Sequence, residues 1–135
     1  MTISIKKLRG MTAESAAKLK ERGIVYSDQL LEAAKTPAER QALAKQMGVE
    51  SEMILELANR ADLSRIKGIA GVFSDLLENA GVDTVKELAA RNPDNLHATL
   101  VKINADKKLA GRTPPLNVVK DWVAQAKALP RVLEY

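Results

Sequence analysis

The chain has 135 residues, of which 46% are apolar, 28% are charged and only 3% are aromatic, and its formal net charge is +4. This is the composition of a globular domain with an aliphatic core. Because it has no cysteine and one histidine, His97, the chain offers no thiolate or histidine cluster for a metal and no triad of the Ser-His-Asp or Cys-His type. We therefore expect no metal, no cofactor and no enzymatic activity.

The same composition bears on the compartment. A chain without cysteine suits a reducing compartment, and no segment approaches the roughly 18 apolar residues of a membrane span. The first residues also lack the apolar run of a secretory signal. We expect a cytoplasmic protein of bacterial type that has no membrane partner.

An internal repeat organises the chain. Residues 8–11, Leu-Arg-Gly-Met, align with residues 66–69, Ile-Lys-Gly-Ile. The same offset of 58 residues continues without a gap to Leu30, which aligns with Leu88. The first part of each copy therefore has the same sequence pattern.

The later part of the second copy is longer, because an insertion near residues 105–115 increases the offset to 66. We predict two units, residues 1–65 and 66–135. Units of about 65 residues are close to the lower limit for independent folding. The junction also has no Pro-, Gly- or Ser-rich spacer, so we expect the two units to pack as one compact body.

Helix signals recur along both units. Thr36-Pro37 and Asn92-Pro93 are typical of an N-cap residue followed by proline at the first helical position, and Gly48 has the place of a residue that ends a helix. No segment has the sustained alternation of a strand, which makes the predicted fold class all-α. In chain order, the predicted helices are 12–22, 27–35, 37–47, 51–62, 70–80, 84–91, 93–104 and 115–128.

Each unit also contains a pattern typical of a helical hairpin, which runs from Gly10 to Gly23 in the first unit and from Gly68 to Gly81 in the second. Glycine permits the positive φ of a tight loop. The free backbone N–H groups of the next helix then point outward, where they and the helix dipole can hold an anion. Helix-hairpin-helix motifs use this geometry to hold a DNA phosphate without reading bases.

The whole arrangement resembles an uncharacterised bacterial domain-of-unknown-function family of tandem helix-hairpin-helix-like proteins, over nearly the full length. The second unit is the closer match, above all in residues 76–85, Leu-Leu-Glu-Asn-Ala-Gly-Val-Asp-Thr-Val. The resemblance implies an all-α fold of two tandem helix-hairpin-helix-like (SAM-like) units. It carries no settled activity, and nucleic-acid binding enters as a hypothesis.

Departures from the motif bear on that hypothesis. Where a DNA-gripping hairpin has a second glycine, this chain has Thr12 in one unit and Ala70 in the other, and both weaken phosphate access. The first hairpin is richer in cations, and the insertion adds three more. The candidate nucleic-acid contacts are Arg9, Gly10, Thr12, Lys18, Lys20, Arg22, Lys67, Gly68, Gly71, Lys107, Lys108 and Arg112.

Two functions remain open for a non-enzymatic binding module. One is sequence-independent binding of double-stranded DNA through the N–H groups that follow Gly10 and Gly68. The other is a protein-interaction or scaffold module whose hairpins are purely structural. We expect Trp122, Phe73 and Tyr26 in the core, which leaves no aromatic platform for single-stranded nucleic acid. The oligomeric state and any partner's identity stay open.

Overall fold

A computed structural model describes residues 2–69 and 71–135. Within them the chain is all-α, as predicted, with one short 3₁₀ helix at Ile5–Lys7, an isolated bridge between Ser4 and Tyr26, and no strand. None of the described helices has the length and apolar character needed to cross a membrane. The helices are α1 (Ala13–Glu21), α2 (Ser27–Ala33), α3 (Pro37–Met47), α4 (Ser51–Leu63), α5 (Val72–Asn79), α6 (Val85–Ala89), α7 (Pro93–Lys107) and α8 (Leu116–Ala128).

Side chains at the helix starts explain why the helices begin where they do. The side-chain oxygens of Thr12, Thr36, Thr84 and Asn92 each accept a hydrogen bond from the backbone N–H three residues later, at 3.1–3.2 Å. Such caps satisfy N–H groups that have no partner inside the helix. The predicted starts after Thr36 and Asn92 are confirmed, and Gly48 ends α3 in the left-handed conformation as predicted.

One predicted boundary is wrong by three residues. The helix expected to end at residue 104 continues to Lys107, because Ala-Asp-Lys is compatible with a helix and nothing interrupts it. Lys107 therefore lies on α7 and not in the insertion loop, which starts at Lys108. The Asn104 side chain orders that loop by accepting from the Ala110 N–H at 2.9 Å and donating to Thr113 Oγ1 at 3.3 Å. The predicted helix start at residue 70 lies outside the described residues.

Two clusters of buried apolar side chains form the interior. The first is drawn from residues 5–61 and also includes Leu133, and the second is drawn from residues 63–126. Trp122 lies in the second cluster, as predicted, and is only 1% exposed. The Phe73 ring packs against it with a centroid separation of 5.6 Å. Large and small aliphatic side chains make up the rest of both clusters.

The core prediction for Tyr26 is wrong, because its side chain is 49% exposed. Its extended backbone bridges to Ser4 and forms the N-cap of α2. The residue thus serves the fold through its main chain and leaves the ring at the surface.

The C-terminal residues run back over the first cluster. Arg40 is buried, and its guanidinium donates to the carbonyl oxygens of Ala34 at 2.9 Å and Glu134 at 2.7 Å. The Glu134 N–H donates in turn to the Lys35 carbonyl at 2.9 Å. Arg40 also lies 5.9 Å from the centre of the Tyr135 ring, in cation–π geometry. These contacts hold the end of the chain against α2 and α3.

Candidate functional site

Two predicted DNA contacts of the first hairpin hold a neighbouring helix. Lys18 Nζ donates to the Met47 carbonyl at 2.9 Å, and Arg22 donates to the Gln46 carbonyl at 2.9 Å. Both carbonyls belong to the last turn of α3, where helix geometry leaves them without intrahelical partners. Lys18 also pairs with Glu14 at 3.2 Å. Lys18 and Arg22 therefore already have partners within the molecule.

The loop of the first hairpin is a packing element as well. Gly10 has a φ of +87°, and a Cβ placed on it would lie 3.9 Å from Leu57 Cδ2, at ordinary contact distance. The Thr12 hydroxyl accepts from the Ser15 N–H and caps α1. Glycine at position 10 is thus explained by backbone conformation alone.

The second loop packs more tightly. Gly68 has a φ of +93°, and a Cβ there would lie only 3.0 Å from Trp122 Nε1. The N–H of the adjacent Lys67 donates to Gln125 Oε1 at 2.9 Å, which ties the same loop to α8. Gly68 is required both by conformation and by the close approach of the indole.

Arg9 brings the first loop to the start of α5. Its guanidinium would lie 3.9 Å from a Cβ on Gly71, and its Nε is 3.3 Å from Asp75 Oδ2. Two predicted site residues, Arg9 and Gly71, are therefore adjacent. The cationic charge of Arg9 is offset by the carboxylate of Asp75.

The outer face of α5 is covered by a partly buried arginine of α4. The Arg60 side chain is 12% exposed and donates to Ser74 Oγ and to Asp75 Oδ1, both at 2.7 Å. It also pairs with Glu78. This ion network joins the helix that ends the first repeat to the helix that begins the second.

The remaining candidates are spread over the chain. Lys107 Nζ donates to Asn79 Oδ1 at 2.6 Å, at the end of α5. Within residues 2–69 and 71–135, no hydrogen bond or ion pair links Lys107, Lys108 or Arg112 to another predicted contact. The side chains of Lys20 and Lys67 are exposed.

A groove that the sequence patterns did not predict lies beside α1. Its cavity volume is about 490 Å³, and we call it the α1 groove. Among the described residues that line it there is no carboxylate, and its two charged members are lysines. The lining residues are Ser4, Ile5, Lys6, Met11, Thr12, Ala13, Ala16, Ala17, Lys20 and Val25.

The sequence did contain a signal for this groove. Ala13, Ala16, Ala17 and Lys20 are spaced so that they fall on one face of a helix. Ala13 and Ala17 are exposed, and Val25 beside them is 37% exposed. Three small side chains in a row leave the space that forms the groove.

The repeat relates this open face to the covered face of α5. At the offset of 58 residues, the four α1 positions correspond to the N-cap of α5 and three positions within α5, which are the positions that meet Arg9 or Arg60. The same helix face is thus occupied in the second copy and open in the first. The pairs are Ala13 with Gly71, Ala16 with Ser74, Ala17 with Asp75, and Lys20 with Glu78.

Comparison with known proteins places the chain in a family. A family model described as a domain of unknown function (DUF4332) matches residues 9–129. The chain belongs to the DUF4332 family. This confirms the predicted membership in a domain-of-unknown-function family, while the bacterial origin and the helix-hairpin-helix character stay predictions. The DUF4332 match includes both glycine loops, all of α1 and all of α5.

No curated protein and no solved structure matches the chain.

Proposed function

We propose that this DUF4332 protein is a non-enzymatic protein-interaction module, and that its α1 groove receives an apolar segment of a partner that also carries carboxylates. The α1 groove itself is the observation that carries the proposal. A volume of about 490 Å³ holds several side chains, and its walls are mostly apolar. An exposed apolar recess with a polar rim is typical of a binding surface.

The charge of the groove defines the chemistry of the partner. Lys6 and Lys20 contribute the charged side chains of its lining, together with the positive end of the α1 dipole near Thr12. Neither acidic residue of α1, Glu14 or Glu21, lines the groove, and Glu14 is paired with Lys18. A partner segment with carboxylates beside its apolar residues is complementary to this surface.

The second repeat supports the assignment of the α1 groove as a binding surface, because the equivalent face of α5 is covered by a charged side chain. The α5 face carries Asp75 and Glu78 and receives a cation, Arg60. The α1 face has alanine and lysine at these two positions, so its charge is reversed. We expect its partner to have the opposite charge to Arg60.

The internal contacts of the two glycine loops and of α1 favour a structural role for both loops. Lys18 and Arg22 hold the end of α3, Arg9 is paired with Asp75, and Gly68 makes room for an indole. Side chains with such partners would have to give them up in order to bind phosphate. This supports a protein partner over DNA as the main ligand.

The test uses two designed helical peptides of equal length, one of leucine and glutamate and one of leucine and lysine. Each is titrated into the full chain labelled for NMR, and amide shifts are followed by residue. We expect saturable shifts at α1 and Val25 with the acidic peptide only. Equal shifts with both peptides, or shifts spread over the whole surface, would overturn the proposal.

Two variants with matched controls locate the binding surface. Lys20→Glu and Ala17→Phe change the charge and the free space of the α1 groove, and we expect each to weaken binding about tenfold, as expected for loss of roughly 1.4 kcal/mol of binding free energy. Lys102→Glu and Ala105→Phe make the same changes on exposed positions of α7 and should leave binding unchanged. Equal weakening by a groove variant and its control would contradict the assignment.

Double-stranded DNA stays the second candidate, on one observation. Lys20, near the end of α1, and Lys67, next to Gly68, have exposed side chains without a hydrogen bond or ion pair to the described residues. Fluorescence anisotropy with a labelled duplex at low and moderate salt tests it, because phosphate binding weakens steeply with salt. Lys20→Glu/Lys67→Glu should then abolish binding, with Lys102→Glu/Lys120→Glu as control. No binding of the wild-type chain at low salt would end the DNA hypothesis.

A further inference from the structure

A second cavity lies away from the α1 groove, between α6, the end of α8 and the C-terminal residues. Its volume is about 300 Å³, and we call it the tail cavity. Three separate segments of the chain form its walls, so it exists only when the C-terminal residues are docked. It is lined by Asp62, Arg65, Thr84, Val85, Lys86, Ala89, Ala126, Lys127, Leu129, Arg131, Val132, Leu133 and Tyr135.

Cations predominate among these residues: four of them line the cavity, against the one carboxylate of Asp62. That carboxylate is 4% exposed and already engaged, since Oδ1 accepts from Arg65 Nη1 at 2.9 Å and Oδ2 accepts from the Val85 N–H at 2.9 Å. Both carboxylate oxygens of Asp62 are therefore engaged within the fold, with Arg65 as the paired cation.

Three cations can face a ligand. Lys86 and Lys127 are exposed, and across the described residues no hydrogen bond or ion pair engages either of them. Arg131 donates through Nε to the Leu133 carbonyl at 2.9 Å, and its guanidinium lies 5.9 Å from the centre of the Tyr135 ring in cation–π geometry. Its Nη groups make no hydrogen bond or ion pair with the described residues. One guanidinium and two ammonium groups match a dianionic group such as a phosphate better than a single carboxylate.

The phenol of Tyr135 adds no negative charge to the cavity near neutral pH. Burial, and then the charge of Asp62, raise the pKa of Tyr135 to about 12. Its hydroxyl donates to Asn59 Oδ1 at 3.1 Å, which holds the ring at the cavity wall. The phenol therefore stays neutral near neutral pH, and the carboxylates of Asp83 and Glu87 also lie close enough to act on it.

The rest of the lining is apolar and fits a small hydrophobic group. Val85 and Ala89 come from α6, Ala126 from α8, and Leu129 and Leu133 from the C-terminal residues. A cavity of about 300 Å³ is at the small end of the range for ligand pockets, which limits the ligand to one ring or a short chain beside its charged group.

We propose that the tail cavity binds a phosphomonoester of a small aromatic or aliphatic group. The phosphate lies among Lys86, Lys127 and Arg131, and the apolar group lies against α6 and Leu129. This site does not depend on the α1 groove, so the two proposals can fail separately.

Phenyl phosphate, titrated into the full chain and followed by amide NMR shifts, is the probe for this site. We expect saturable shifts at Val85, Ala89 and residues 126–133, stronger binding than inorganic phosphate, and weaker binding in high salt. Phenol has the ring without the phosphate, and benzoate has a carboxylate in place of the phosphate. Each should bind at least about tenfold more weakly than phenyl phosphate, because charged hydrogen bonds are lost. No saturable shifts at about 10 mM phenyl phosphate, or equal binding of benzoate, would overturn the proposal.

Variants that replace lysine with glutamine test which residues bind the phosphate. Lys86→Gln/Lys127→Gln should weaken phenyl phosphate binding at least about tenfold, because two charged contacts are lost. Both side chains are exposed, so the variant should keep its fold, which the NMR spectrum verifies directly. Lys102→Gln/Lys120→Gln removes the same charge outside the cavity and should have no effect. An equal loss in both double variants would show non-specific attraction and contradict the site.

Discussion

Helices α1 and α5 occupy equivalent positions in the repeat, but only α5 has its outer face covered. Arg60 of α4 and Arg9 of the first loop reach the α5 face through Ser74, Asp75 and Glu78. The α1 face, with alanine and lysine in their place, borders a groove of about 490 Å³. Two helices at equivalent positions of the sequence repeat thus differ in their surroundings: α5 makes an internal contact, and the same face of α1 is open.

The difference shows that charged side chains have different roles in the two copies of the sequence repeat. In the second copy, carboxylates serve to join the repeats. In the first copy, Lys18 and Arg22 serve the fold by holding α3, and the opposite side of the helix remains available. Comparing equivalent positions of the two copies therefore separates charged side chains that stabilise the fold from charged side chains that remain available to a partner.

The glycine loops provide the largest expected difference between the copies. Gly68→Ala should lower the free energy of unfolding by about 2–4 kcal/mol, because a Cβ adds a 3.0 Å contact with the Trp122 indole to the cost of a positive φ. Gly10→Ala should cost about 1–2 kcal/mol, from conformation alone. Urea denaturation of both variants measures the difference. Equal losses would show that the Trp122 contact is not what constrains position 68.

A smaller effect is expected at the ion network that covers α5. Arg60→Ala should lower the free energy of unfolding by about 1–3 kcal/mol, since it leaves Asp75 and Glu78 partly buried without their main cation. Partial solvent exposure of both carboxylates keeps the loss below that of a fully buried pair. A double-mutant cycle with Asp75→Ala should give a coupling of about 1 kcal/mol. A coupling near zero would mean that the network does not join the repeats.

The smallest effect separates the lysines of α1 itself. Lys18→Ala should cost about 0.5–1 kcal/mol through the lost bond to the Met47 carbonyl, while Lys20→Ala should stay within about 0.3 kcal/mol. Thermal or urea unfolding checks both. If Lys20→Ala proved as destabilising as Lys18→Ala, Lys20 would be a structural residue and the α1 groove would lose its main charge.

Much of the fold was predictable from local signals. Cap residues such as Thr36 and Asn92 act through hydrogen bonds within one turn, so the sequence alone locates those helix starts. The prediction that Tyr26 lies in the core was wrong because it rested on the hydrophobicity of the ring. The position of this residue is fixed by its backbone. The end of α7 was misplaced because an insertion in the alignment was taken for a loop, although its first residues favour a helix.

The candidate site was predictable only in part. Lys18, Arg22 and Lys20 have the same local pattern of cations on a helix, and only the tertiary packing of α3 distinguishes the engaged ones from the free one. The groove had a signal in the spacing of Ala13, Ala16 and Ala17, but small residues at that spacing fit a packed helix equally well. What lies opposite a helix face is decided by contacts between distant parts of the chain.

The most direct test of the central claim is to give α1 the charges of α5. Ala17→Asp/Lys20→Glu installs on the α1 groove the acidic pair found at Asp75 and Glu78. NMR titration with the acidic and basic peptides then compares affinities for the two chains. We expect the wild-type chain to prefer the acidic peptide and the variant to prefer the basic one. An unchanged preference would contradict the claim that the α1 groove is the binding surface.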